Sequence, residues 1–126
     1  MKLTLRGHPT AGEAVAFLDA HCCRGELAEL VVDEAMGRLP KADAARLLAE
    51  AAARVAPGGT LVVRDLAVAA AAGLVADGAL DGEAVLTDRR SFWTAAAVGR
   101  LLPDDFRPGT RRLDGGAFEA TFVRAG

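Results

Sequence analysis

This chain of 126 residues has no tyrosine and a single tryptophan, and aromatic residues make up 5% of it. Its interior must therefore rest on Leu, Val and a few Phe. Cysteine is nearly absent. Cys22 and Cys23 are neighbours, and vicinal cysteines rarely bridge each other because the ring is strained. That leaves no disulfide framework, in agreement with a reducing, cytoplasmic setting. An excess of one charge is missing too: 15 basic residues stand against 17 acidic ones, for a net charge of -2. No bulk field draws the chain to nucleic acid or to an acidic membrane. Long apolar runs are also lacking. The longest, Leu66 to Ala72, is far too short to span a bilayer. The opening MKLTLRGHPT has no apolar core of a signal peptide.

The length fits one domain, residues 1–126. Such a domain buries most of an ordinary core with a thin margin of stability. Much of the 52% hydrophobic content is alanine, which buries little area per side chain. We therefore expect a partner to complete the core, either a second copy in a homo-oligomer or a larger enzyme to which this chain is a subunit.

Leu3 and Leu5 alternate with Thr4 and Arg6, so residues 2–6 predict a strand. Gly7, His8 and Pro9 break it, and the segment 11–24 reads as a helix with Ala14, Val15, Phe17 and Leu18 on one face and Gly25 as its stop. Leu27, Leu30, Val31 and Val32 predict a buried strand. Ala44, Ala45, Leu47, Leu48, Ala51, Ala52 and Val55 line a helical stripe. Asp43 sits in the first turn, and Arg46, Glu50 and Arg54 lie on the wet side. Pro57-Gly58-Gly59 ends that helix. Thr60 to Leu66 reads as a strand, and residues 67–76 as an Ala-rich helix with its end among the glycines at 73, 78 and 82. Residues 92–102 predict another helix with Ser91 as N-cap. Thr110–Leu113 and Phe118–Arg124 predict a hairpin about Gly115-Gly116. Alternating strands and helices ending in an antiparallel pair give an α/β fold, a mostly parallel sheet of about five strands with a C-terminal antiparallel hairpin.

From Leu27 onward the chain resembles class I methyltransferases that use S-adenosylmethionine. Their F-D-x-I/V-x-x-x-x-V-L-E-H-L-P type segment is matched by the stretch from Leu27 to Pro40 (LAELVVDEAMGRLP). Their A-L-x-E-x-x-R-V-L-x-P-G-G helix is matched from Leu47 to Gly59 (LLAEAAARVAPGG), and the next strand by Gly59-Thr60-Leu61-Val62-Val63. Arg90-Ser91-Phe92-Trp93-Thr94 looks like the family's R-x-x-W-T/S lead into its last main helix. Leu101, Leu102 and Phe106 look like its L-L-x-x-x-G-F ending. The resemblance implies a reduced, Rossmann-like methyltransferase fold.

The family's D/E-x-G-x-G-x-G cofactor loop has no counterpart. Near its start the chain offers Leu5-Arg6-Gly7-His8-Pro9-Thr10-Ala11-Gly12, with Arg6 and His8 where glycines are wanted. No second strand ending in an acid follows to hold ribose hydroxyls. The family's Asp is Ala28 here, and its Glu-His pair is Gly37-Arg38. The expectation is a methyltransferase-like module that has lost the S-adenosylmethionine loop, a non-catalytic binding, structural or regulatory subunit with no cofactor. The alternative is a minimal S-adenosylmethionine-dependent methyltransferase that holds the cofactor near Gly7, Gly12 and Asp33, with a second chain supplying the rest.

Other clusters are sparse. His21-Cys22-Cys23 falls short of the four ligands of a zinc site and reads as a helix end with small buried thiols. Asp33, Glu34 and Asp65 follow strands, where α/β sheets place ligands, and form either an acidic rim for a cation or basic partner, or solvated loop carboxylates. Arg107, Arg111 and Arg112 read as guards of a sheet edge. Trp93 reads as a packing residue.

Overall fold

The computed structural model describes residues 1–78 and 89–126. Its order is β1 (Lys2–Arg6), α1 (Ala11–His21), β2 (Leu27–Asp33), a 3-10 turn (Met36–Arg38), α2 (Lys41–Arg54), β3 (Val55–Leu66), α3 (Val68–Ala76), α4 (Ala95–Leu101), β4 (Phe106–Asp114) and β5 (Ala117–Arg124). The five strands form one sheet in the order β1-β2-β3-β5-β4. The first three are parallel, and β5 and β4 run antiparallel to their neighbours. The expected α/β architecture and closing hairpin are both present. Gly115 and Gly116 carry φ of 56° and 89°, the positive values a tight hairpin turn requires.

The boundaries follow local chemistry. Thr10 caps α1 by accepting from the Glu13 amide at 3.1 Å, so α1 begins with a Thr-x-x-Glu sequence that suits a helix start. It ends at His21, earlier than expected, because the Cys22 backbone is extended. Val55 belongs to β3, not to the helical stripe. The next residue, Ala56, directly precedes Pro57 and is pushed out of the α region, so the helix has to stop just ahead of it. Ser91 does not cap α4. Thr94 does, accepting from the Ala97 amide at 3.0 Å. Gly82, one of the expected stops for α3, lies outside the described residues.

One face of the sheet holds the core. Leu5, Leu30, Val32, Leu61, Val63, Phe118, Ala120 and Phe122 are buried there against Leu18, Leu47, Leu48, Ala51 and Val98 of the helices. Arg54 joins this side, contrary to its expected place in water. It is 4% exposed, and its Nη2 donates to Asp19 at 2.5 Å while its Nη1 reaches the Cys22 carbonyl at 3.2 Å. The helix end turns this position inward toward α1, where the carboxylates of Asp19 and Glu50 compensate the charge.

The other face is polar. Its strand register lines up Arg6, Asp33, Arg64, Glu119 and Arg112 in one row across all five strands. The charges alternate in sign along it. Arg6 holds Asp33 at 2.8 Å, Arg64 holds Glu119 at 2.8 Å, and Arg112 also pairs with Glu119. A second row begins with Lys2 and Glu29, 2.8 Å apart. Cross-strand pairs of opposite charge contribute about 0.2–1 kcal/mol each. Val31 and Val62 sit between the rows, and Val62 is only 7% exposed, screened by the long side chains beside it.

Hydrogen bonding from Arg64, and then from Arg112, holds the Glu119 carboxyl below the usual carboxylate range. A depressed value means stability that is complete above the unfolded-chain carboxylate pKa, about 4.3, and lost as pH falls through the folded one. Glu119→Gln is therefore expected to flatten the decline of the urea midpoint between about pH 5 and pH 3. An unchanged decline would show that solvent screens the row to nothing.

Candidate functional site

The ends of β1, β2 and β3 converge on one corner of the molecule. After β2 the chain turns through Glu34, whose φ is 54°. This left-handed residue brings the 3-10 turn back over the sheet, where Ala35, Met36 and Gly37 are buried. Asp65, near the end of β3, is 1% exposed. Its Oδ2 accepts from the Gly37 amide at 2.8 Å, and its Oδ1 from the Leu66 amide at 2.7 Å and from the Arg89 guanidinium. A buried carboxylate needs such partners to remain charged.

The segment before α4 is laced to the same turn. The Gly37 carbonyl accepts from the amides of Arg90 at 2.9 Å and Ser91 at 3.3 Å. Ser91 Oγ reaches the carbonyls of Leu39 at 2.7 Å and Met36 at 3.1 Å, and receives Trp93 Nε1 at 2.8 Å. Trp93 is 2% exposed, a packing residue as expected, with its one polar atom satisfied.

Beside this network lies a cavity of about 350 Å³ lined by Gly7, His8, Pro9, Arg38 and Arg90. Gly7 has no side chain where Arg38 packs; a Cβ there would run into the Arg38 stem. His8 leans on Phe17, with ring centroids 5.4 Å apart. A larger hollow of about 770 Å³ lies near Trp93, Leu113 and Phe118. Its lining is chiefly apolar, with Arg111, Arg112 and Glu119 also contributing.

Of the expected site residues, only Gly7 lines the basic cavity. Gly12 lies in the first turn of α1 and Asp33 on the polar face, bound to Arg6. The acidic rim does not assemble. Asp33 is paired with Arg6, and Asp65 is enclosed with Arg89. Among the described residues no group of three or more His, Cys, Asp or Glu could hold a metal ion. His21 Nδ1 is 2.8 Å from the Phe17 carbonyl and its ring stacks on Phe17. Cys22 is buried, Cys23 exposed. Burial pushes the Cys22 thiol pKa up against the pull of Arg54, so Cys22 is the buried, inert thiol expected at the helix end, whereas Cys23 departs from that expectation because the extended chain after His21 leaves it exposed. Arg38 and Arg90 stand in the sequence only as positions of family-like motifs, and Arg89 in none. Their signal was present as a departure: Arg38 stands where the resembling family has His.

No protein-family model matches the chain, and no curated protein is similar enough to be matched. Solved structures do match. One is an O-methyltransferase family protein from Burkholderia thailandensis, with 18% identity and a TM-score of 0.59 over 81% of this chain and 31% of that chain. The present chain thus spans less than a third of that protein's length. Another is a chain from the complex between the Haloferax volcanii Trm112 methyltransferase activator and a candidate methyltransferase. Its identity is 11% and its TM-score 0.62, over 99% of this chain and 83% of that chain. The fold is that of the class I methyltransferases, with a five-stranded mixed sheet.

Proposed function

We propose that this chain is a non-catalytic, methyltransferase-like binding module that does not hold S-adenosylmethionine and acts as a companion subunit. The observation that carries the reading is the basic cavity at the end of β1. A class I fold would seat its adenosyl cofactor at that strand end, between glycine-rich backbone and a carboxylate that takes the ribose hydroxyls. Here no carboxylate is among the described residues that line the cavity. The Arg38 stem packs against Gly7, and Arg38 and Arg90 both line the cavity, where their positive charge disfavours a sulfonium cation. β1 is the edge strand of the described sheet, and no described strand lies beyond it to carry such an acid. These residues do not fit the cofactor. The ligand's polar groups would go unpaired, which weakens binding steeply.

The corner also lacks the parts of a catalyst. The Ser91 hydroxyl is spent on two backbone carbonyls, and Asp65 is spent on Arg89 and two amides. The subunit role draws on two further points. Phe92, Leu101 and Leu113 are large apolar residues about half exposed or more, at 50%, 47% and 67%. One of the similar chains comes from an activator–enzyme complex.

Titration calorimetry with S-adenosylmethionine is the test. No detectable heat is expected up to millimolar ligand. Saturable binding at micromolar strength would overturn the reading in favour of a minimal methyltransferase.

A further inference from the structure

We propose that the cavity at the ends of β1 and β2 binds a small phosphate-bearing anion through Arg38 and Arg90. The inference rests on the non-catalytic reading above and gives its cavity a ligand class.

Charge is the first argument. Arg6, Arg24, Arg54, Arg64, Arg89, Arg112 and Arg124 each hold a carboxylate, whereas among the described residues neither Arg38 nor Arg90 enters an ion pair. Both line one cavity together with His8, and no acid is among its described lining residues. Arg46, Arg100, Arg107 and Arg111 also enter no ion pair among the described residues, but Arg38 and Arg90 are the two that line one concavity together, where an anion would meet both. A guanidinium offers forked N–H donors that match phosphate oxygens two at a time.

Placement is the second argument. Arg38 follows Gly37, whose amide is fixed by buried Asp65, and Arg90 donates its own amide to the Gly37 carbonyl. Ser91 ties the next residue to the carbonyls of Met36 and Leu39, on either side of Gly37-Arg38. The main chain carrying both arginines is thus locked to a single point by buried bonds. Binding then costs only side-chain ordering, which raises affinity for a given set of contacts. A buried ion pair such as Asp65–Arg89 is poor at adding stability, and its best-attested use is to fix an arrangement. Here the arrangement it fixes is the pair Arg38 and Arg90.

Size is the third. At about 350 Å³ the cavity lies at the lower end of ligand sites, roughly 300–1,000 Å³. That suits a monophosphate ester or free phosphate.

The test is calorimetric titration of the full chain with inorganic phosphate and, separately, with a nucleoside monophosphate at low salt. Saturable binding is expected with at least one of them, and the two arms separate free phosphate from an ester as the source. Arg38→Ala and Arg90→Ala should each weaken it about tenfold or more, with circular dichroism confirming the fold. Arg38→Lys should retain part of the affinity, and Arg111→Ala, on the β4 edge, all of it. Absence of binding by both probes at about 10 mM, or equal affinity in the doubly substituted chain, overturns the inference. S-adenosylmethionine binding sinks the companion-subunit reading by itself. Failure of both phosphate probes, with S-adenosylmethionine also silent, sinks only the anion site.

Discussion

Asp65→Ala is expected to destabilise the protein by about 3–5 kcal/mol, the usual cost of removing one member of a buried ion pair. Asp65 is 1% exposed and the Arg89 side chain 12% exposed. Removing the carboxylate strands a guanidinium with little water and leaves the Gly37 amide without its acceptor. Native domains have only about 5–15 kcal/mol in hand, so the variant would keep a modest fraction of its stability. Melting should fall by about 10 °C or more. Asp65→Asn keeps the shape and one acceptor oxygen but not the charge, and should fall between the two. Thermal unfolding followed by the fluorescence of the single tryptophan, Trp93, reports directly, since its Nε1 belongs to the same network. A loss under about 1 kcal/mol for the Ala variant would mean that Arg89 finds water readily and the corner is not locked.

Gly37→Ala should cost about 1–3 kcal/mol through overpacking. A Cβ at this position would overlap the Arg89 guanidinium and come within 2.8 Å of Asp65 Oδ1. Arg89 could swing aside, but only by abandoning the buried carboxylate. Because Arg38 and Arg90 are both anchored through residue 37, the same methyl group should also reduce phosphate affinity. Urea denaturation measures the first effect and calorimetry the second. Stability within about 0.5 kcal/mol of wild type would show that the corner yields easily.

The sheet was readable because its strands carry strong local signals. Thr60 to Leu66 and Phe118 to Arg124 alternate or cluster in ways that exclude a helix, and Gly115-Gly116 can hardly be anything but a turn. The fold class followed from the order of elements, and the structural neighbours agree with it. The corner was harder to see. Arg54 and Asp65 looked like solvent-facing charges, since nothing in their neighbourhood announces that Asp19 or Arg89 will arrive to compensate them. Those partners lie 35 and 24 residues away. Ser91 satisfies every local rule for an N-cap, yet its hydroxyl is taken by carbonyls more than 50 residues distant. Local chemistry sets where a helix can start; it does not say which buried acceptors compete for the same side chain. Asp33 failed as an acidic rim for a related reason. Strand register, which pairs it with Arg6 and Arg64, is a property of three strands at once.

The charged rows on the uncovered side of the sheet bear on how this molecule can associate. Seven charged side chains stand there in three paired groups: Lys2 with Glu29, Arg6 with Asp33, and Arg64 and Arg112 with Glu119. Any protein laid flat across them would have to dehydrate all seven while offering charges already answered in place, an exchange with little to gain. On the companion-subunit reading proposed above, a partner is therefore expected to meet Phe92, Leu101 and Leu113, which stand about half exposed or more, rather than this broad charged surface.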